Sequence, residues 1–126
     1  MTAAVLAVVL AAASPQARLD TAKHHWQRLH ARNYTYYVTP TCGRCETTTG
    51  KIRVRNGKPV DTPPALRSYD TVPELFARIQ RAIDSHPYRV DATYDKRGVP
   101  TMLAVDEDRS VVDDVKGYAI ERFRRG

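Results

Sequence analysis

The only two cysteines of this chain stand three residues apart in Cys42-Gly43-Arg44-Cys45, directly after the aromatic run Tyr34-Thr35-Tyr36-Tyr37-Val38. A Cys-x-x-Cys loop can be a local disulfide, half of a metal site or a thiol–disulfide exchange centre, and each needs different surroundings. Zinc would need further ligands. The histidines available are His24, His25, His30 and His86, and none has the paired spacing of a zinc finger, so no metal and no cofactor is assigned. Asp106, Glu107, Asp108, Asp113 and Asp114 offer oxygens to calcium, but without an EF-hand pattern they read as a solvated acidic turn. Lys51, Arg53 and Arg55 alternate along one strand face as anion-contact candidates, or as charges that deter edge-to-edge pairing. No nucleophile elbow, P-loop or glycine-rich dinucleotide signature is present.

The redox alternative has a specific form. Val38-Thr39-Pro40-Thr41-Cys42-Gly43-Arg44-Cys45 resembles the strand-to-loop passage of thioredoxin-like proteins, and Gly98-Val99-Pro100-Thr101-Met102-Leu103 resembles their cis-proline strand. That resemblance implies Cys42 as nucleophile, Arg44 favouring its thiolate, Cys45 as resolving thiol and Pro100 opposite the pair. Such sites set the first cysteine at a helix N-terminus, whereas Glu46-Thr47-Thr48-Thr49-Gly50 runs straight into a strand. A structural disulfide tying a hairpin loop is therefore the favoured reading, with a thiol–disulfide oxidoreductase as its alternative and the enzyme question left leaning to no.

The elements that must position these residues follow from periodicity. Leu19, Ala22, Trp26 and Leu29 recur at helical spacing and predict a first helix ending near Asn33. Tyr34 to Val38 alternates as a strand up to Pro40, and Lys51 to Arg55 alternates as a second strand before the turn Asn56-Gly57. Pro59, Pro63 and Pro64 make residues 59 to 68 an extended connector. Thr71 and Glu74 form a capping box for a second helix whose buried stripe is Val72, Leu75, Phe76, Ile79 and Ile83. Strands follow at Tyr88 to Tyr94, at Pro100 to Val105 and at Tyr118 to Phe123; the middle one is apolar on both faces and reads as an inner strand.

This order, αββαβββ, predicts an α+β domain with two helices on one face of an antiparallel sheet of about five strands. A duplicated αββ unit would generate it, and Val54 to Val60 can be laid on Val105 to Val111.

Residues 1–17 read as a signal peptide around Val5, Leu6, Val8, Val9 and Leu10, with Ala13 and Ala17 as candidate ends, leaving 18–126 as a single domain. The apolar run is shorter than the roughly 20 residues of a membrane span. No integral span is expected after leader removal, and the expected location is secreted or periplasmic, where a Cys42–Cys45 disulfide is permissible. The net charge of +6 and pI near 9.6 are spread along the chain rather than gathered in a basic block. Nucleic acid is accordingly not expected as a partner. An anionic envelope component or another protein is the expected class.

Taken in order, Trp26, Tyr34-x-Tyr36, the cysteine loop, Val54-Arg55-Asn56-Gly57, Thr71-Val72-x-Glu74-Leu75-Phe76, Val90-x-x-x-Tyr94-Asp95, Gly98-x-Pro100-Thr101, Asp106 and the segment Asp113 to Phe123 carry a family resemblance. The chain resembles an uncharacterised family of short exported bacterial proteins and lipoproteins, domain of unknown function six-one-seven-four, over roughly residues 24 to 123. The resemblance implies a small exported α+β domain and supplies no activity, cofactor or catalytic residue. Departures are the lack of a lipid-attachment cysteine near the leader's end and the Cys-Gly-Arg-Cys spacing, which is not carried over from the family. The function expected is a non-catalytic binding or structural module.

Overall fold

The computed structural model describes residues 13–45, 47–110 and 115–126. Ser14 opens the first helix, α1 (Pro15–Leu29): its extended backbone lets Oγ accept from the Ala17 amide at 3.1 Å, and Pro15 sits where no donor is needed. Leu19, Ala22 and Trp26 are its buried stripe. The helix stops at Leu29 rather than near Asn33, because His30 already takes the left-handed conformation (φ 50°) and returns its amide to Gln27. Asn33 instead accepts from the Asn56 amide, tying the helix exit to the first hairpin turn. The expected leader boundary at Ala17 falls within the first turn of α1, while the apolar centre Val5 to Leu10 lies outside the described residues.

The sheet has six antiparallel strands: β1 (Tyr34–Cys42), β2 (Gly50–Arg55), β3 (Lys58–Pro59), β4 (Arg89–Tyr94), β5 (Pro100–Asp106) and β6 (Lys116–Arg125), in the order β3-β2-β1-β6-β5-β4. The α+β class and antiparallel sheet match the sequence reading, with one strand more than expected. That strand, β3, pairs its two residues with the end of β2, inside the segment read as connector. The connector also winds into a 3-10 helix over Pro64–Tyr69, its prolines fixing φ without a donor to lose. β1 continues past Pro40 to Cys42. β2 ends opposite Val38, so from there one side of β1 has no partner strand, a position a sheet proline tolerates.

β5 is an inner strand as its double-sided apolarity predicts, but the centre belongs to β6, which slots between the β1–β2 and β5–β4 hairpins. The laid-over segment Val105 to Val111 runs partly outside the described residues. At the β4–β5 turn Gly98 has φ 87° and a Cβ there would meet the Ala22 carbonyl oxygen at 2.1 Å, so only glycine lets α1 pack this close.

α2 (Val72–Asp84) begins as its capping box predicts, with Thr71 Oγ1 accepting from the Glu74 amide at 3.1 Å. Its buried residues Val72, Leu75, Phe76 and Ile79 meet Tyr34, Tyr36, Ile52, Leu103 and Tyr118 of the sheet in one core. Three buried tyrosines bind backbone across that interface. The Val72 amide donates to Tyr34 Oη at 3.0 Å, Tyr36 Oη donates to the Tyr69 carbonyl at 2.5 Å, and Tyr118 Oη donates to the Leu75 carbonyl at 3.0 Å. Burial pushes all three phenols above their ordinary value of 10.0.

Tyr36→Phe leaves the Tyr69 carbonyl without this partner and is expected to lower the unfolding free energy by about 1 kcal/mol, with the urea slope unchanged. Because the folded-state phenol values are raised, their contribution is intact below pH 10 and is lost as pH climbs beyond the ordinary value of 10.0. Urea titrations at increasing pH should therefore show stability falling above that point, less steeply in Tyr36→Phe. A profile as steep in the variant as in the parent would contradict the assignment.

Candidate functional site

Alternation along β1 puts Val38, Pro40 and Cys42 on the helix-covered side of the sheet. Register then lays out two cross-strand rows there: Pro40, Tyr118 and Leu103, then Cys42, Lys116 and Val105. These rows floor an open cleft of about 590 Å³ at one end of the sheet. Its walls are Ala65, Leu66 and Tyr69 of the 3-10 helix and Arg78, Arg81, Ala82 and Ser85 of α2, with Cys45, Thr48 and Glu107 at the rim. Leu66 reaches this place over Gly50, where any Cβ would collide with its side chain.

Apart from Lys116 at its outer row, the floor is apolar and neutral, because burial pushes the Tyr118 phenol up and keeps it protonated. Cations occupy the wall and the mouth. Arg78 is fixed: its Nε donates to the Ser68 carbonyl at 3.0 Å and its guanidinium lies 4.0 Å from the Tyr69 ring centroid. Arg81 and Lys116 are exposed, and among the described residues neither has a carboxylate within ion-pair reach. An apolar floor beneath unpaired cations suits a ligand with an apolar body and an anionic end.

Cys42, the last residue of β1, and Cys45, in the loop that follows it, lie at disulfide distance, with Cα atoms 5.6 Å apart. The rest of the thioredoxin-like arrangement is not assembled. No helix follows Cys45, since residues 47–49 lead into β2. Pro100 opens β5 while Val105 near its other end flanks the cleft, five residues or roughly 17 Å away. No described peptide bond is cis. Arg44 is exposed; the cation placed directly across from Cys42 is Lys116.

Of the anion-contact candidates, Lys51 and Arg53 are exposed on the opposite, helix-free side of the sheet, so they share no site with the cysteines. Arg55 is half-buried and its Nη1 donates to the Val54 carbonyl at 2.9 Å. His24 and His25 are exposed on α1, with His30 at its end and His86 beyond α2. Among the described residues no three His, Cys, Asp or Glu side chains converge to hold a metal ion, and no helix is long and apolar enough to cross a membrane.

The sequence reading passed over Arg78, Arg81 and Lys116. Arg78 and Arg81 carried a usable signal, being one turn apart on the polar side of a securely predicted helix. Lys116 carried none, because only the β1–β6 register brings it to Cys42.

No curated protein and no solved structure matches the chain. A family model does, over residues 18–125, nearly all of the described fold. With that match spanning most of its length, the chain belongs to the family of unknown function DUF6174.

Proposed function

We propose that this chain is an exported, non-catalytic binding domain that takes a small amphipathic anion into the cleft beside the cysteines. The observation that carries the reading is a pair of cations, Arg81 and Lys116, that have no ion-pair partner among the described residues and stand beside an apolar floor of Leu103, Val105 and Tyr118. A carboxylate or sulfonate would be held by the guanidinium and the ammonium, and its apolar body would cover the floor. In this reading Cys42 and Cys45 form a disulfide that clasps the rim. Over so short a loop such a bond acts mainly on local geometry.

Export rests on the apolar run of the first residues, and Ser14 supports one processing point. Removal of the leader after Ala13 would keep the Ser14 cap and the paired amide bonds between Gln16 and Gln80, at 2.9 and 2.8 Å, that join α1 to α2. Removal after Ala17 would destroy both. N-terminal sequencing of the exported protein is expected to begin at Ser14; a chain beginning at Arg18 would refute this choice.

A second reading, thiol–disulfide exchange, is favoured by one feature: the Lys116 ammonium opposite Cys42 would stabilise a thiolate there. Alkylation followed by mass measurement separates the two. The clasp reading expects both thiols to resist alkylation until a strong reductant is added, with no catalysed reduction of insulin by dithiothreitol. Turnover that disappears in Cys42→Ser, while the fold is retained, would establish exchange instead.

The cleft itself is tested with decanoate and anilinonaphthalene sulfonate as probes, against decanol as a neutral control. Arg81→Gln and Lys116→Gln should each weaken decanoate binding about five- to tenfold, corresponding to roughly 1 to 1.5 kcal/mol. Decanol binding as tightly as decanoate, or a double variant with parental affinity, would sink the proposal.

A further inference from the structure

The geometry points to a second binding surface, on the helix-free face of the sheet: a basic platform centred on Thr35 and Tyr37 that docks a linear polyol-phosphate polymer. Register assembles it from two strands far apart in sequence. Arg53 of β2 and Arg124 of β6 both lie opposite Thr35, and Lys51 and Glu121 both lie opposite Tyr37. A bulge in β6, with Arg122 at φ 55°, turns a further guanidinium inward to sit 5.3 Å from the Tyr37 ring centroid.

Neighbouring strands run about 4.8 Å apart and same-face residues about 6.8 Å apart, so the cations of β2 and β6 border a strip roughly 10 Å wide with hydroxyls along its middle. Lys51, Arg53, Arg122 and Arg124 are all exposed, and Glu121 is the one acid within this group. Arg55 is left out of the platform, its guanidinium being held by the Val54 carbonyl.

Three features choose the occupant. Arginine predominates over lysine, and its fork matches phosphate oxygens two at a time. A single-stranded nucleic acid wants open aromatic faces on which to stack bases, but the one ring here, Tyr37, is roofed by Arg122. A protein partner wants a buried aromatic or aliphatic anchor, and the exposed large apolar side chains of the described chain, Tyr88 and Val115, lie elsewhere. What remains is repeated phosphate charge carried on a flexible, hydroxyl-rich, unstacked chain. The Thr35 and Tyr37 hydroxyls can meet the polyol between phosphates. This surface does not depend on the cleft, from which the sheet itself separates it.

The test is binding of a defined oligo(glycerol phosphate) to the whole domain, followed by calorimetry over a salt series. Four phosphate contacts predict a slope of log affinity on log salt of about −2.8, at about 0.7 per contact on a single chain. Arg53→Gln and Arg124→Gln should each reduce the slope by about 0.7 and weaken binding several-fold at low salt, with unchanged thermal melting. Arg55→Gln and Arg81→Gln should change neither quantity. The inference is overturned by no binding, by an oligothymidylate of equal phosphate number binding more tightly, by polyglutamate of equal charge binding as well, or by Arg55→Gln having the effect of Arg53→Gln. Loss of polymer binding in Arg81→Gln would place the polymer in the cleft and overturn it equally.

Discussion

Three tyrosine hydroxyls, reaching from the sheet to the main chain that covers it, are the constraint on which the other features rest. A helix start leaves amides without partners and a 3-10 turn leaves carbonyls without them; buried, each would cost on the order of 1 to 3 kcal/mol. The 3-10 helix has no side-chain cap of its own. Tyr36 supplies a donor to its last carbonyl, that of Tyr69, and two residues on from Asp70 the Val72 amide finds Tyr34. Tyr118 then fixes α2 one turn further along, at Leu75. Tyr34 and Tyr36 lie on β1 and Tyr118 on β6, the two strands that are neighbours at the middle of the sheet. The cleft follows from the same bonds. Its walls are the segments the tyrosines hold, and its floor is the stretch of β1, β6 and β5 from Tyr118 outward.

Much of this architecture is legible in the sequence, wherever the signal is local. The capping box at Thr71 and Glu74 marks the start of α2 to the residue, and the alternation in Lys51 to Arg55 gives both the strand and the exposed side of Lys51 and Arg53. The absence of a helix after Cys45 is equally visible in the threonines and Gly50. Sequence reasoning fails where the determining contact is distant. Nothing in Tyr118 to Phe123 announces a central strand, because its position is set by pairing with β1 on one side and β5 on the other. The 3-10 helix was hidden because prolines favour several non-sheet conformations alike. Its choice among them comes from Leu66 packing over Gly50 and from the Tyr36 bond.

The candidate sites divide in the same way. Cys42, Cys45, Lys51 and Arg53 can be singled out by type and spacing, yet the structure parts them onto opposite sides of the sheet. Their partners come from β6: Lys116 for the cysteines, Arg122 and Arg124 for the basic strip. One strand thus serves both faces, since its period of two sends successive side chains to opposite sides. The bulge at Arg122 interrupts that period. It lets Phe123 pack against Trp26 and Tyr34 while Arg122 and Arg124 stay with the other face.

The location of the cysteine pair bears on what a bond there would do. β2 ends opposite Val38, so the last part of β1 is held by β6 alone, and Cys42 is its final residue. A loop closed over three peptide bonds removes little freedom from the unfolded chain. Its effect in the folded chain is larger where strand pairing is one-sided, because there it substitutes for the missing neighbour and keeps Cys42 and Cys45 against the rim. Under the proposed clasp, a bond between the pair would bear on the shape of the cleft mouth more than on the stability of the domain. The Lys116 ammonium across from Cys42 belongs to the same mouth: with the thiols joined it is free to meet an anion, and with them reduced it would face a thiolate instead.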